Sequence, residues 1–221
     1  MSDRFRPFVL PALLTVAACL PDATLETDAQ KASYGIGLNI GRSLADIEEH
    51  VDMVAVMQGV TDALAEAEPA LTRTEIETAM AAFEEMIRAE ARERGSTEGA
   101  AFLEENAARE GVIVTESGLQ YELLREGDGA SPVSGGRAVV HYRGMLPDGT
   151  EFDSSYGDGE AVKFDVDGVV PGFSEALKLM KVGGHIRVVI PSDLAYGESG
   201  RLPVIGPNQV LVYEIELLGI E

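Results

Sequence analysis

Hydrophobic residues recur with two different periods along this chain, and the change of period divides it. From about Ala29 to Ala107 the spacing is three and four. Ile36, Ile40, Leu44 and Ile47 form one stripe. Met53, Val56 or Met57, Val60 and Leu64 form a second, each the apolar face of an amphipathic helix. Thr72-Arg73-Thr74-Glu75 opens a further helix, in which Thr72 can cap and Glu75 can reach back. That helix carries Ile76, Met80, Phe83 and Ile87 and runs into the alternating charges of Arg88 to Arg94. It is expected to stop at Gly95, with Gly99 to Ala107 a separate last helical piece. Helices this short hold few core residues each, so their stripes are better buried by pairing with a second copy than alone.

After Gly111 the period becomes two. Leu119, Tyr121 and Leu123 alternate with Gln120 and Glu122, and Ala138, Val140 and Tyr142 alternate with His141 and Arg143. Val162, Phe164 and Val166 alternate with Lys163, Asp165 and Asp167. Ile186, Val188 and Ile190 make another run, and Leu211, Tyr213, Ile215 and Leu217 the last. This alternation marks strands with one buried face. Pro147-Asp148-Gly149-Thr150 is a turn between two of them. One short helix interrupts: Pro171 suits its first turn, Phe173, Leu177 and Met180 share a face, and Gly183-Gly184 closes it. The expected fold is α+β: a twisted antiparallel sheet with one short helix on its concave side, preceded by an all-α segment.

The first residues follow neither pattern. Arg4 and Arg6 precede an apolar run from Phe8 to Ala18, too short for a bilayer, which needs ~20 apolar residues. A basic start, a short apolar stretch and small residues at its end are the parts of a secretory signal. Val16-Ala17-Ala18-Cys19 resembles the bacterial lipobox, whose cysteine becomes the first mature residue and carries a lipid. A plain signal with an incidental cysteine, or a cytosolic protein with an apolar start, are the alternatives. The expected organisation is a lipoprotein signal over 1–18, a tether over 19–28, a helical dimerisation domain over 29–107 and the sheet domain over 108–221.

The 221 residues suit one large domain or two small ones. The net charge of −21 repels phosphate backbones and anionic headgroups. Nucleic acid is therefore excluded as a partner, and a lipid on Cys19 is the only expected link to a membrane. Cys19 is the single cysteine, so neither an intramolecular disulfide nor a thiolate zinc cluster can form. His50, His141 and His185 lie far apart with no ligand spacing, and no metal is expected. The glycines of Gly35 to Gly41 lack the spacing of a dinucleotide loop and follow no strand; they fit a helix with small faces that allow close approach. The strand-rich half has no histidine-paired nucleophile and no phosphate loop, so no cofactor is expected.

What does recur there is aromatic and branched apolar residues at strand ends and loops: Tyr142, Phe152, Phe164, Val169, Val170, Phe173, Tyr196, Ile205 and Tyr213. Each alone reads as core; with their neighbours they form an ordered series of motifs. Val139 to Leu146 (VVHYRGML) is followed by Asp148 to Ser155 (DGTEFDSS) and Val169 to Leu177 (VVPGFSEAL). Pro191 to Gly197 (PSDLAYG), Ile205 to Asn208 (IGPN) and Leu211 to Leu217 (LVYEIEL) come next. In order and spacing, from Leu119 to Glu221, they resemble the FK506-binding protein family of prolyl isomerases. Upstream, Ala32 to Gly37 (ASYGIG), Ala100 to Asn106 (AAFLEEN) and Ser117 to Tyr121 (SGLQY) resemble its macrophage infectivity potentiator branch.

The resemblance implies a peptidyl-prolyl cis/trans isomerase that needs neither nucleophile nor metal. The proline ring would sit on Phe173, walled by Tyr142, Phe164, Val169, Val170 and Tyr213. Tyr196 would donate its hydroxyl to a substrate carbonyl. Asp153 would act electrostatically near the carbonyl carbon and hold Tyr142 by a hydrogen bond, and Phe152 and Ile205 would form the rim. Two positions depart from the family, which usually has tryptophan where Phe173 stands and phenylalanine where Tyr213 stands. The implied partners are proline-containing unfolded or partly folded polypeptides, a second copy bound through the N-terminal helices, and macrolide inhibitors of the FK506 or rapamycin type. Members of the branch are periplasmic or surface homodimers, so the implied location is the bacterial envelope, lipid-anchored in the periplasm at the outer membrane. Two other readings stay open: a dimeric holdase chaperone on an inactive pocket domain, and a lipoprotein that only scaffolds the envelope.

Overall fold

The computed structural model describes residues 24–157 and 159–221. The signal expected over residues 1–18 and Cys19 lie outside them. Two compact units divide the chain, one ending at Ala70 and the other spanning Leu71–Glu221.

The first unit contains α1 (Asp28–Leu44), a 3₁₀ stretch (Ala45–His50) and α2 (Met53–Leu64). A capping box starts α1: Gln30 N–H donates to Thr27 Oγ1 at 3.3 Å, and Thr27 N–H to Gln30 Oε1 at 2.9 Å. Asp52 caps α2 by accepting from the N–H groups of Val54 and Ala55 at 2.8 and 3.2 Å. The stripe expected to run through Ile47 ends earlier, because Ile47 lies in the 3₁₀ stretch with φ −126° and ψ 17°. Neither α-helix buries any residue within the single chain. Ile36 stays 61% exposed, and Ile40, Met53, Met57, Val60 and Leu64 are exposed as well.

The second unit opens with α3 (Arg73–Ala107), started by the expected box: Glu75 N–H donates to Thr72 Oγ1 at 3.3 Å and Thr72 N–H to Glu75 Oε2 at 2.8 Å. The helix does not stop at Gly95. It runs 35 residues without a break, and Gly95 and Gly99 are buried within it. A Cβ on Gly95 would stand 2.2 Å from the Pro207 carbonyl oxygen, and one on Gly99 3.0 Å from Val210 Cγ2. The two glycines mark where another segment lies against the helix backbone, not where the helix ends. This reading fixes the sign of a mutation. Gly95→Ala should lower stability by roughly 1–3 kcal/mol through overpacking, whereas helix propensity alone predicts a gain of about 1 kcal/mol. A denaturation midpoint that rises would mean that α3 is not docked there.

The sheet has β1 (Val112–Val114), β2 (Gln120–Arg125), β3 (Arg137–Met145), β4 (Glu151–Ser154), β5 (Val162–Asp165), β6 (His185–Ile190) and β7 (Leu211–Ile220). All pairings are antiparallel, in the order β1-β2-β6-β7-β3-β4, with β5 on the same edge of β3 as β4. The alternation along β6 and β7 sorts their side chains onto two faces. Val188, Leu211, Tyr213, Ile215 and Leu217 join Phe173, Ala176, Leu177 and Met180, from or next to α4 (Pro171–Leu179), in the main core. Val189, Val210 and Val212 pack on the other side with Phe102 and Leu103 of α3. A buried polar knot secures this second contact. Asn106 donates to Gln120 Oε1 at 2.8 Å and accepts from Arg187 and Arg109 at 2.8 and 3.0 Å; Gln120 donates to the Leu103 carbonyl at 2.9 Å. The last turns of α3 are thus part of the same folded body as the sheet.

Candidate active site

Four aromatic rings from different elements meet at one end of the main core. Tyr142 comes from β3, Phe164 from β5, Phe173 from the first turn of α4 and Tyr213 from β7. Tyr142 lies edge-on to Phe164 and Phe173 with centroids 5.4 and 6.0 Å apart. Phe173 lies edge-on to Phe164 at 5.5 Å and to Tyr213 at 5.0 Å. These spacings put positive ring edges against negative faces, the favoured aromatic geometry. Val169 and Val170 pack beside them in the approach to α4, where Pro171 occupies the first helical turn. Phe173 is 4% exposed and Tyr213 6%, while Phe164, Val169 and Val170 are half-buried.

The β3–β4 ladder supplies the fifth ring and the carboxylate through an irregularity. Gly144 pairs with Asp153 but Met145 pairs with Glu151, so the register shifts and Phe152 has no partner on β3. In a regular strand, consecutive side chains point to opposite faces; a bulge re-aims one of them. Phe152 accordingly packs edge-on against Tyr213 at 5.6 Å, while its neighbour Asp153 accepts a hydrogen bond from Tyr142 Oη at 2.8 Å. Gly144 leaves the space for this: a Cβ there would stand 2.7 Å from the Phe152 ring and 2.8 Å from that of Tyr213. Burial first, then the bond to Asp153, pushes the Tyr142 hydroxyl well above the usual phenol range. Burial, followed by the nearby Tyr196, Asp153 and Tyr142, does the same to Tyr213. Both hydroxyls therefore stay neutral hydrogen-bond donors at physiological pH.

Tyr196 and Ile205 belong to the long connection between β6 and β7. Ile205 is 2% exposed and part of the main core, against which the half-buried Tyr196 packs. Arg201 was not expected. Its guanidinium lies 5.9 Å from the Tyr196 ring centroid and donates to Tyr196 Oη at 3.4 Å. It is a solvated cation beside a pocket of neutral phenols and one carboxylate. The only signal for it in the sequence is a lone arginine five residues after Tyr196. Ser155 was also missed. Its hydroxyl accepts from Tyr142 N–H at 2.9 Å while its own N–H donates to the Tyr142 carbonyl at 3.0 Å, which fixes that tyrosine's backbone.

Residues 129–218 match the family described as FKBP-type peptidyl-prolyl cis-trans isomerase, and residues 29–123 match the domain amino terminal to it. The chain is 44% identical over 201 residues to the FKBP-type 22 kDa peptidyl-prolyl cis-trans isomerase of Escherichia coli (strain K12), covering 89% of this chain and 98% of that relative. The chain belongs to the FKBP-type peptidyl-prolyl cis-trans isomerases. This isomerase is also 33% identical over 217 residues to the outer membrane protein MIP of Legionella longbeachae, covering 95% of the chain and 93% of the relative. Among solved structures it resembles the crystal structure of FkpA from Escherichia coli, with a TM-score of 0.67 and 37% identity over 90% of this chain and 99% of that one. The α+β fold and the isomerase activity follow from this membership, and the polypeptides on which the family acts contain proline. Every aromatic and carboxylate group described above falls within the matched isomerase segment.

Proposed function

We propose that this isomerase works on unfolded or partly folded exported polypeptides, in the pocket of Tyr142, Phe164, Phe173 and Tyr213, by favouring the twisted X-Pro amide. Resonance holds the planar amide behind a barrier of ~18–20 kcal/mol, so uncatalysed isomerisation takes tens to hundreds of seconds. The planar amide is the more dipolar state. An apolar pocket that strips water from it therefore raises the ground state relative to the twisted one. In this reading the proline ring rests on Phe173, Val169 and Val170 complete the wall, and Phe152 borders the entrance, while Ile205, expected at the rim, backs the site from the core because it is buried there. Tyr196 donates to a substrate carbonyl, and the Asp153 carboxylate lies near the carbonyl carbon while it orients Tyr142. The observation that carries the reading is the cluster of edge-packed rings with one carboxylate-anchored tyrosine among them. The test is the cis-to-trans rate of a short proline peptide with and without a macrolide of the FK506 type. Macrolide-sensitive acceleration supports the pocket. Suppression of aggregation with no peptide acceleration would favour a holdase instead.

The proposed setting is the bacterial envelope, with residues 1–18 a signal, Cys19 the lipid-bearing residue and 19–28 a tether. No helix among the described residues is long and apolar enough to cross a membrane, and the lipobox-like Val16-Ala17-Ala18-Cys19 supplies the proposed attachment. Cys19→Ser should abolish incorporation of labelled fatty acid and move the protein from the membrane fraction to the soluble periplasm. Persistent membrane fractionation of that variant would mean that something other than a lipid holds it. Residues 29–107 are proposed to pair two copies and residues 108–221 to carry the catalytic pocket.

A further inference from the structure

The segment from Tyr196 to Val210 brings two pocket residues, Tyr196 and Ile205, yet contains no extended strand. Its shape rests on a few bonds. Arg201 and Ile205 pair across a narrow hairpin, N–H to carbonyl, at 2.7 and 3.1 Å. The base of the loop is closed by Asn208, whose backbone N–H donates to the Gly197 carbonyl at 2.8 Å. Asn208 adopts φ 55°, in the left-handed region that asparagine enters more readily than most residues.

The same residue reaches outward to α3. Its side-chain amide donates to the Arg92 carbonyl at 3.1 Å and to Ser96 Oγ at 2.9 Å, so both amide hydrogens are engaged. Beside it the Pro207 carbonyl lies over Gly95, at a distance no side chain would permit. One residue thus joins three parts: the start of the loop, the end of the loop, and a helix more than a hundred positions earlier in the chain. The helix segment from Arg92 to Gly99 supplies no ring to the pocket, but it is what the loop rests on.

We propose that Asn208 is a positioning residue for the isomerase reaction. It fastens the loop that bears Tyr196 and Ile205 to α3, and so makes that helix part of the active site's support. The inference rests on the pocket reading above. A displaced Tyr196 hydroxyl, or a displaced Ile205 beneath it in the core, loses its alignment with the twisting amide, and such losses of orientation are large in catalysis.

The test uses the full chain. Asn208→Gly keeps the positive φ available while deleting the amide, so it separates the hydrogen bonds from backbone strain. It is expected to lower kcat/KM for proline peptides roughly tenfold, measured well below its melting temperature. The amides of Gly197 to Gln209 should gain millisecond exchange in nitrogen relaxation experiments. Ser96→Ala, on the exposed side of the helix, should give a smaller loss, and the double variant should be no slower than Asn208→Gly, because both changes cut one tie. A kcat/KM within about twofold of wild type for Asn208→Gly overturns the inference. So does a loss matched by the fraction of unfolded protein, which a purely structural role would give. Asp153→Leu, run alongside, keeps the two readings apart. If it turns over at the wild-type rate, the pocket reading falls and takes this inference with it. If it is slow while Asn208→Gly is not, only the inference fails.

Discussion

Asp153→Leu and Tyr196→Ala should each slow isomerisation of a short proline peptide by roughly tenfold or more, equivalent to at least about 1.4 kcal/mol of barrier. Asp153 is exposed to solvent and accepts a hydrogen bond from the Tyr142 hydroxyl at 2.8 Å. In the proposed mechanism its replacement removes the carboxylate placed near the reacting amide, and it frees the Tyr142 hydroxyl from its partner. Tyr196 packs on the main core and receives a hydrogen bond from Arg201. Tyr196→Phe refines the experiment, because it keeps the ring under the guanidinium and deletes only the oxygen. Most of the Tyr196→Ala loss should reappear in it if the hydroxyl is what touches substrate. Wild-type rates in Asp153→Leu and Tyr196→Ala, with unchanged circular dichroism, would remove the pocket assignment.

The second large effect concerns assembly. The chain beginning at residue 20 is expected to sediment as a homodimer, and charges placed on α1 should convert it to monomer without loss of peptide activity. Side chains such as Ile36, Ile40, Met53, Met57, Val60 and Leu64 are exposed within one chain, and each is worth roughly 1.5–3 kcal/mol when fully buried. Leaving them all in water would create an apolar patch larger than a stable monomer usually carries. A shallow groove on α1, lined by Tyr34, Gly37, Leu38, Gly41, Arg42 and Ala45, adds a surface that a second helix can approach closely. A Cβ on Gly37 or Gly41 would meet nothing within 4 Å in the single chain, so Gly41→Glu costs the monomer no contact. In a dimer packed on that groove it would bury a charge. Sedimentation of Ile40→Asp and Gly41→Glu beside the parent decides it: a monomeric parent, or variants that remain dimeric, would remove the proposed interface. The pocket residues all lie between Tyr142 and Tyr213, so activity should survive dissociation.

Much of this could be read before any folding was considered. The alternation in Ala138, Val140 and Tyr142, or in Leu211, Tyr213, Ile215 and Leu217, is a direct imprint of a sheet with one buried face. The Thr72–Glu75 box marked the start of α3 because capping is settled within four residues. Strand β1 escaped, since Val112-Ile113-Val114 is apolar throughout and too short to carry a period. The pocket aromatics were legible through the order of their motifs. Arg201 was not, because nothing local distinguishes a solvated arginine from one that lies against a tyrosine.

By itself the sequence determined five of the strands, the starts of the helices, the α+β class, the family and which aromatic and acidic residues could form a site, all of which depend on local spacing or on motif order. Only the tertiary structure decided three further things. The shifted register between β3 and β4 turns Phe152 and Asp153 to the same side, and register is a property of two strands together. The missing side chain at Gly144 gains meaning only when the Phe152 and Tyr213 rings pack over it from elsewhere. And α3 continues through Gly95 and Gly99, where local propensity called for a stop. Two glycines cost a helix about 1 kcal/mol each relative to alanine, but they let the Pro207–Val210 segment lie against its backbone, and the helix runs through them unbroken. Such a balance is struck between residues 95 and 207, and no window of neighbouring residues contains both sides of it.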